Sequence, residues 1–317
     1  MIRSPVVALM IALVLLVAAA APGVATSSPV AGNGDFAGLV DIGGRRLWLE
    51  CRGGGGPTVI LVSGYRNNAE IWSVPAREGQ TMVLPGVAGF TRVCAYDRPG
   101  TILDQEHVSR SDPVAMPRSA EAIVEELHEL LRAAEIPGPY VLAAHSLGGL
   151  FARLYAATYP EEVVGLVLVD AWSEVLPEEL GPVQWQEYVD LAAPAPPGLE
   201  WYSDLEMVDF GTASTVMAAA ARPLPPLPLV VLSRGKPVAL PPNVPGGFDP
   251  AAFERAWQAG QTHLARLLPD ARQVFATESD HYIQIEQPEL VTAAIRQVVK
   301  AVRDPSTWAT PHATPSV

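Results

Sequence analysis

The sequence predicts an α/β protein built on one doubly wound, mostly parallel sheet of about eight strands. Short apolar runs alternate with amphipathic helical patterns, which is typical of buried strands and the helices that cover them. The first two strand-like runs are joined at Gly43-Gly44, a hairpin signal. A length of 317 residues with 49% apolar residues is sufficient for one large core. These observations favour a single sheet with helices on both faces.

Each strand is predicted from a run of β-branched and apolar residues bounded by Gly, Pro or polar residues. In order, the predicted strands cover residues 38–42, 45–51, 58–62, 91–96, 140–144, 163–169, 227–232 and 272–276. Helices are predicted where apolar residues recur at helical spacing, as Ile123, Leu127 and Leu130 do, with glutamates on the opposite face. The predicted helices cover residues 118–135, 147–159, 253–268 and 288–302.

The two ends of the chain do not follow this alternation. Residues 1–25 begin with one arginine, continue with the apolar run 6–21 and end at a small-residue cleavage pattern, which predicts a secretory signal peptide. A retained membrane anchor is the alternative, but the run is short for a bilayer span. Residues 26–36 predict a flexible leader, and residues 304–317, rich in Pro, Thr and Ser, a disordered tail. The folded domain is therefore expected over residues 37–303 of a secreted or periplasmic protein without a stable membrane anchor.

A third segment, residues 171–226, interrupts the alternation inside the domain. It holds many aromatic residues and prolines between the strand-like runs at 163–169 and 227–232. This composition predicts an inserted cap. Its aromatic residues indicate either a surface for an apolar substrate group or a small core of the cap's own.

The balance of charges excludes several classes of partner. The chain has 34 acidic and 21 basic residues, a formal net charge of −13 and no cluster of Lys and Arg. Such a surface repels nucleic acid and anionic membranes, so neither is an expected partner. Two cysteines and six scattered histidines show no metal-ligand spacing. We therefore expect no metal and no cofactor, and the oligomeric state stays open.

One stretch carries a chemical signal: residues 143–149 read Ala-Ala-His-Ser-Leu-Gly-Gly directly after a predicted strand. A single hydroxyl among small residues at a strand-to-helix junction indicates a strained turn that exposes Ser146 as a nucleophile. The helix beginning at Leu147 would point its first N–H groups at an anion formed there. The alternative is that Ser146 only caps a buried helix. His281, in the loop after the last strand, is placed to act as a base.

Three motifs together resemble the alpha/beta-hydrolase superfamily over residues 39–302. They are the turn at 144–148, Tyr-Asp-Arg-Pro-Gly at 96–100 and Ser-Asp-His at 279–281. Ala144 stands where the family usually has glycine, and because alanine is the next smallest residue we expect the turn to form. The resemblance implies a serine esterase or lipase-like hydrolase in which Ser146 is the nucleophile and His281 the general base.

The resemblance also implies an oxyanion hole made of two backbone N–H groups. One belongs to Leu147, and the other is expected at Tyr65, in the turn after the third strand. Asn67 and Asn68 are either side-chain donors or turn formers. Asp97 is interpreted as a structural residue.

The acid that orients His281 is the least determined residue of the site. The family commonly carries it after the seventh strand, but residues 233–237 offer cations and no carboxylate. Asp170, which ends the preceding strand, is therefore the predicted acid, and Asp249, beyond a long loop rich in Pro and Gly, is the alternative. Asp280 is less suited, because neighbouring side chains in an extended loop point apart.

The resemblance places the strands that carry Cys51 and Cys94 side by side in the sheet. An exported protein can be oxidised, and two cysteines allow one pairing, so a disulfide is predicted. Two separate buried thiols are the alternative.

Taken together, the motifs imply an exported serine hydrolase that cleaves small carboxylic esters with an apolar group through an acyl-enzyme on Ser146. Cleavage of amides or lactones, or perhydrolysis, by the same residues stays open. A hydrolase fold that only binds ligands is a further alternative, which the complete set of serine, histidine and acid disfavours.

Overall fold

The computed structural model describes residues 34–219, 224–240, 244 and 246–308, which fold around one eight-stranded sheet. Its strands are β1 (Phe36–Asp41), β2 (Arg46–Arg52), β3 (Thr58–Val62), β4 (Val93–Tyr96), β5 (Tyr140–His145), β6 (Val163–Val169), β7 (Leu229–Arg234) and β8 (Arg272–Ala276). They lie in the order β1-β2-β4-β3-β5-β6-β7-β8. The pairs β1–β2 and β2–β4 are antiparallel and the others parallel. The predicted sheet is confirmed.

Helices cover both faces of the sheet, and the sheet separates two apolar cores. They are α1 (Val83–Ala88), α2 (Ala120–Ala133), α3 (Gly148–Thr158), α4 (Leu176–Ala192), α5 (Phe210–Ala219), α6 (Pro250–Leu264), α7 (Ile283–Glu286) and α8 (Pro288–Arg303). On one face, α2, α3 and α6 bury Ile123, Leu150 and Phe253. On the other face, α1 and α8 bury Val87 and Val298. Because both faces are covered, β3 and β5 are buried at every residue and β6 at all but one.

The four predicted helices are present, with ends that shift where a side chain caps the first turn. Ser119 accepts a hydrogen bond from the N–H of Ala122, so α2 begins at Ala120. Asp249 caps α6, which begins at Pro250. The sequence does not predict α1 and α7, because helices of six and four residues are too short to show a periodic pattern.

The segment between β6 and β7 carries α4 and α5, at the place predicted for the cap. The φ of Gly181 is 68°, and the helical path of α4 is broken there. Tyr188 of α4 stacks on Phe253 of α6 with ring centroids 5.5 Å apart. Gln184 also donates to the carbonyl oxygen of Gly247 at 2.8 Å. These contacts seat the insertion on the chain that leads from β7 to β8.

The ends of the domain differ from the prediction by a few residues. β1 begins at Phe36, the last residue of the predicted leader. A 3-10 turn over Pro305–Thr307, capped by Asp304, corrects the predicted start of the disordered tail. The predicted signal peptide at 1–25, most of the leader and residues 309–317 lie outside the described residues. Within the described part of the chain, no helix is long and apolar enough to cross a bilayer.

A disulfide crosslinks the antiparallel strands of the sheet. Cys51 of β2 lies directly opposite Cys94 of β4, and their Cα atoms are 4.1 Å apart. Both side chains are buried, and the bond joins residues separated by 43 positions in the sequence. The pairing named from the sequence is therefore present, and it ties the β1–β2 hairpin to the parallel part of the sheet.

We expect the Cys51→Ala/Cys94→Ala variant to lose up to about 4 kcal/mol of unfolding free energy, because the crosslink restricts the unfolded chain. Urea unfolding followed by circular dichroism measures this loss. Reductant should move the wild-type midpoint toward that of the variant and leave the variant unchanged, which separates the crosslink from lost packing. Two free thiols in the alkylated native protein, seen by mass spectrometry, would contradict the disulfide.

Candidate active site

Ser146 lies in a tight turn between β5 and α3. Its φ of 52° is in the left-handed region, which costs a residue other than glycine about 1–3 kcal/mol. Two glycines allow the turn to pack closely. A Cβ on Gly148 would lie 2.5 Å from the carbonyl oxygen of Val62, and one on Gly149 would lie 2.4 Å from the Cβ of Ala171. The turn is therefore pressed against the ends of β3 and β6.

His281 and Asp170 continue a chain of hydrogen bonds from Ser146. The Nε2 atom of His281 lies 2.9 Å from the Oγ of Ser146, and its Nδ1 atom lies 2.6 Å from the Oδ2 of Asp170. His281 follows β8 and Asp170 follows β6, so the carboxyl ends of parallel strands bring the three residues together. With Nδ1–H donating to the carboxylate, Nε2 is free to accept the serine proton.

Asp170 is a fully buried carboxylate surrounded by donors. Besides His281, it accepts from the Nη1 of Arg234 at 2.8 Å, from the backbone N–H of Arg234 at 3.3 Å and from the Nε1 of Trp257 at 3.0 Å. Burial by itself raises the pKa of Asp170, but its hydrogen bond to His281 and the charges of His281 and Arg234 lower the pKa to about 2. The carboxylate therefore stays ionised in the core.

Sequence reasoning missed the roles of Arg234 and Trp257. Arg234 is visible as a cation at the place where the family commonly carries its acid, but its pairing with Asp170 joins two strands and leaves no local pattern. Trp257 lies in α6, where helical spacing predicts only a core residue. The sequence does contain one signal for this pair: a cation, Arg234, at the position where the family commonly carries its acid, and an acid, Asp170, at the end of the preceding strand.

The other carboxylates weighed as the acid are occupied elsewhere. Asp249 is exposed and caps the first turn of α6, and Asp280 accepts from a backbone N–H two residues along. Asp97 accepts from a backbone N–H and from an arginine, which fits its interpretation as a structural residue. Unlike these three carboxylates, Asp170 forms a hydrogen bond with the ring of His281. Among the described residues, no group of three His, Cys, Asp or Glu side chains is arranged to hold a metal ion.

The buried ring of His145 supports the backbone of His281. Its Nε2 lies 2.9 Å from the carbonyl oxygen of His281, and the two ring centroids are 4.6 Å apart. Burial, and then the neighbouring His281, lower the pKa of His145 to about 3. The neutral ring therefore donates its Nε2–H to that carbonyl oxygen and is not a base for Ser146.

The backbone N–H groups of Tyr65 and Leu147 have no acceptor within the part of the chain that the structure describes. Leu147 follows Ser146 directly. The loop that carries Tyr65 also touches Ser146, since a Cβ on Gly64 would lie 2.9 Å from the Cβ of Ser146. Asn68 is a turn former, because its side chain caps the following 3-10 turn. Two N–H groups without an acceptor thus belong to segments that adjoin Ser146.

Aromatic side chains enclose one side of the site. Centroid distances of 5.2 to 6.2 Å link successive rings of His281, Trp257, Phe253, Tyr188, Phe210 and Tyr65. Phe210, Phe253 and Trp257 of this row are buried in the apolar core. Near Tyr282, the residue after His281, an open groove of about 390 Å³ has Ile71, Ile102 and Leu103 in its walls. This groove offers mostly apolar contacts to a ligand.

The sheet order, with antiparallel strands at one edge and a left-handed serine after β5, is the architecture of an alpha/beta hydrolase. The sequence profile of the alpha/beta hydrolase family matches residues 59–305, and the chain belongs to this family. Ala144, at the position where the family usually has glycine, is fully buried in β5, and the turn forms with it in place.

Relatives of the chain include proteins matched over very different shares of their length. YqjL of Bacillus subtilis, an uncharacterized protein, is 23% identical over 253 residues, which are 78% of this chain and 85% of YqjL. Lipase 1 of Psychrobacter immobilis is 28% identical over 143 residues, which are 44% of this chain and 40% of the lipase. Among solved structures, mouse alpha/beta hydrolase domain-containing protein 10 has a TM-score of 0.55 and 17% identity, covering 84% of this chain and 99% of that one. This structural likeness concerns the fold.

Asp170→Asn should slow the covalent labelling of Ser146 by a fluorophosphonate by up to about 10⁴-fold, because the amide leaves His281 in the wrong tautomer. Asp249→Asn is the matched control: asparagine caps a helix as well as aspartate does, so its labelling rate should not change. Peptide mass spectrometry follows the labelling, and thermal unfolding checks both variants. Slow labelling of Asp249→Asn with normal labelling of Asp170→Asn would assign the acid to Asp249.

Proposed function

We propose that this protein is an exported serine hydrolase that cleaves carboxylic esters through an acyl-enzyme on Ser146. The observation that carries the proposal is the chain of hydrogen bonds from Ser146 through His281 to Asp170, beside two unpaired backbone donors. Membership of a hydrolase family supports the reaction type. The similarity to Lipase 1 of Psychrobacter immobilis supports an ester as the substrate.

In the proposed reaction, His281 takes the proton of Ser146 as the Oγ atom attacks the ester carbonyl carbon. The oxygen of the tetrahedral intermediate accepts hydrogen bonds from the N–H groups of Tyr65 and Leu147. His281 then gives its proton to the leaving alcohol, and a water molecule releases the acyl group by the same steps. Asp170, ionised and buried, stabilises the imidazolium throughout.

The proposed substrate is a small ester with an apolar group. The groove of about 390 Å³ beside Tyr282, the residue after His281, supports this choice, because its apolar walls would remove apolar surface of the substrate from water. The buried disulfide supports export, since such bonds persist in oxidising compartments. Turnover of p-nitrophenyl esters of graded chain length tests the proposal. Preference for an anilide or a lactone, or no turnover of any of these, would overturn the ester assignment.

Ser146→Ala and His281→Ala should each lower ester turnover on the order of a million-fold, because a nucleophile and its base act as one unit. Two variants at exposed positions, Ser203→Ala and His107→Ala, serve as matched controls and should keep wild-type turnover. Initial rates with the best p-nitrophenyl ester measure the effect. More than a few per cent of activity in a purified, folded Ser146→Ala or His281→Ala sample would rule out the assigned roles.

The kcat/KM of the wild type should fall as the pH is lowered below neutrality. The cause is that His281 must be neutral to accept the serine proton. Asp170, with a pKa of about 2, is still ionised there, so the acid limb should have a slope of one. A slope of two on this limb would show that a second group titrates together with the base.

A further inference from the structure

A buried ion pair outside the chain of Ser146, His281 and Asp170 adjoins the loop that carries Tyr65. The Nε of Arg98 lies 2.6 Å from the Oε1 of Glu206, and neither side chain has any exposed area. Arg98 follows β4, whereas Glu206 comes from the inserted segment between α4 and α5. Burying two charges costs several kcal/mol of desolvation for each, so the neighbours of this pair must supply compensating hydrogen bonds.

Those hydrogen bonds go to the backbone on both sides of Tyr65. Arg98 donates from Nη1 to the carbonyl oxygen of Ser63 at 2.9 Å and from Nη2 to that of Gly64 at 2.6 Å. Glu206 accepts the backbone N–H of Arg66 at 2.5 Å through its Oε2. The ion pair therefore fixes the peptide units before and after Tyr65.

The hydrogen bond from Arg98 to the carbonyl oxygen of Gly64 determines the direction of the Tyr65 N–H. In a trans peptide unit the C=O and N–H bonds point in opposite directions. Because the carbonyl oxygen of Gly64 is directed at Arg98, the N–H of Tyr65 is directed away from Arg98. The same carbonyl oxygen also accepts the N–H of Asn67 at 3.1 Å, so without Arg98 the peptide unit would keep only one of its two hydrogen bonds at that oxygen.

Glu206 is itself held firmly to the body of the domain. Its backbone N–H donates to the carbonyl oxygen of Gly100 at 2.8 Å. A Cβ on Gly100 would lie 2.2 Å from the carbonyl oxygen of Asp204, so the inserted segment rests directly on the turn after β4. The guanidinium of Arg66 in turn donates to the carbonyl oxygens of Ala193 and Pro194, just beyond α4.

We propose that Arg98 and Glu206 are positioning residues that hold the Tyr65 N–H toward the oxyanion, so that the inserted segment helps to build the oxyanion hole as well as to cover it. This inference rests on the proposed function. Neither side chain touches the substrate. Since oxyanion donors act mainly on the transition state, their displacement changes kcat more than KM.

The decisive variant is Arg98→Met/Glu206→Met, which removes both charges of the pair together, so that neither partner is left buried without the other. We expect its kcat for a p-nitrophenyl ester to fall about 10²–10³-fold, as for loss of one oxyanion donor, with KM within about threefold of wild type. The matched control is Arg118→Met/Glu126→Met, which removes another buried ion pair, 2.9 Å long, that contacts neither Ser146 nor the loop. It should keep kcat within about threefold.

Crystal structures of the wild type and of Arg98→Met/Glu206→Met give a readout that is independent of turnover. In the variant, the Gly64–Tyr65 peptide unit should be turned away from its wild-type orientation. An unchanged peptide unit, or a kcat within about threefold of wild type, would overturn the positioning role. If the wild type turned over no ester, the proposed function would fail, and the orientation of this peptide unit alone would decide the inference.

Discussion

The left-handed backbone at Ser146 is the constraint around which the rest of the site is arranged. The N–H of Ser146 donates to the carbonyl oxygen of Val169, and its own carbonyl oxygen accepts from the N–H groups of Gly149 and Trp172. Hydrogen bonds of the Ser146 backbone therefore join the ends of β5 and β6. These bonds offset the cost of the strained turn, and they place Asp170, the residue after Val169, within hydrogen-bonding reach of His281.

A second requirement is that the carboxylate of Asp170 stay ionised inside the apolar core. Asp170 has no exposed area, and its ionised form is stabilised by Arg234, Trp257 and His281. Arg234 is in turn paired with Glu254, whose side chain is 27% exposed. The buried charges thus form a chain of alternating sign that ends at the solvent, which lowers the cost of desolvating any single member.

The insertion between β6 and β7 contributes to the site in two physically different ways. Its aromatic rings pack with those of α6 and form an apolar enclosure. Glu206, in contrast, forms an ion pair with Arg98 and accepts the N–H of Arg66 in the loop of Tyr65. Apolar contacts tolerate small shifts because they have little directionality, but the hydrogen bonds of Glu206 and Arg98 fix backbone orientation. The insertion is therefore joined to the sheet by buried hydrogen bonds as well as by apolar packing.

The sequence by itself determined the order of the eight strands along the chain, the helices α2, α3, α6 and α8, the strained turn at Ser146 and the loop position of His281. Each of these has a local signal: a run of β-branched residues, a helical period, or small residues around one hydroxyl. It did not show α1 or α7, which are too short for a period. Neither could it decide between Asp170 and Asp249, because both follow strand-like or loop patterns and both preserve the same order along the chain.

Only the tertiary structure decided which carboxylate meets His281, since that contact spans 111 positions and depends on the pairing of β6, β7 and β8. The same holds for Arg234 and Glu206. Their partners are 64 and 108 residues away in the chain, so no periodic pattern or short motif records them. Contacts of this kind arise when the sheet and its insertion assemble, and their energies depend on burial that a linear sequence does not display.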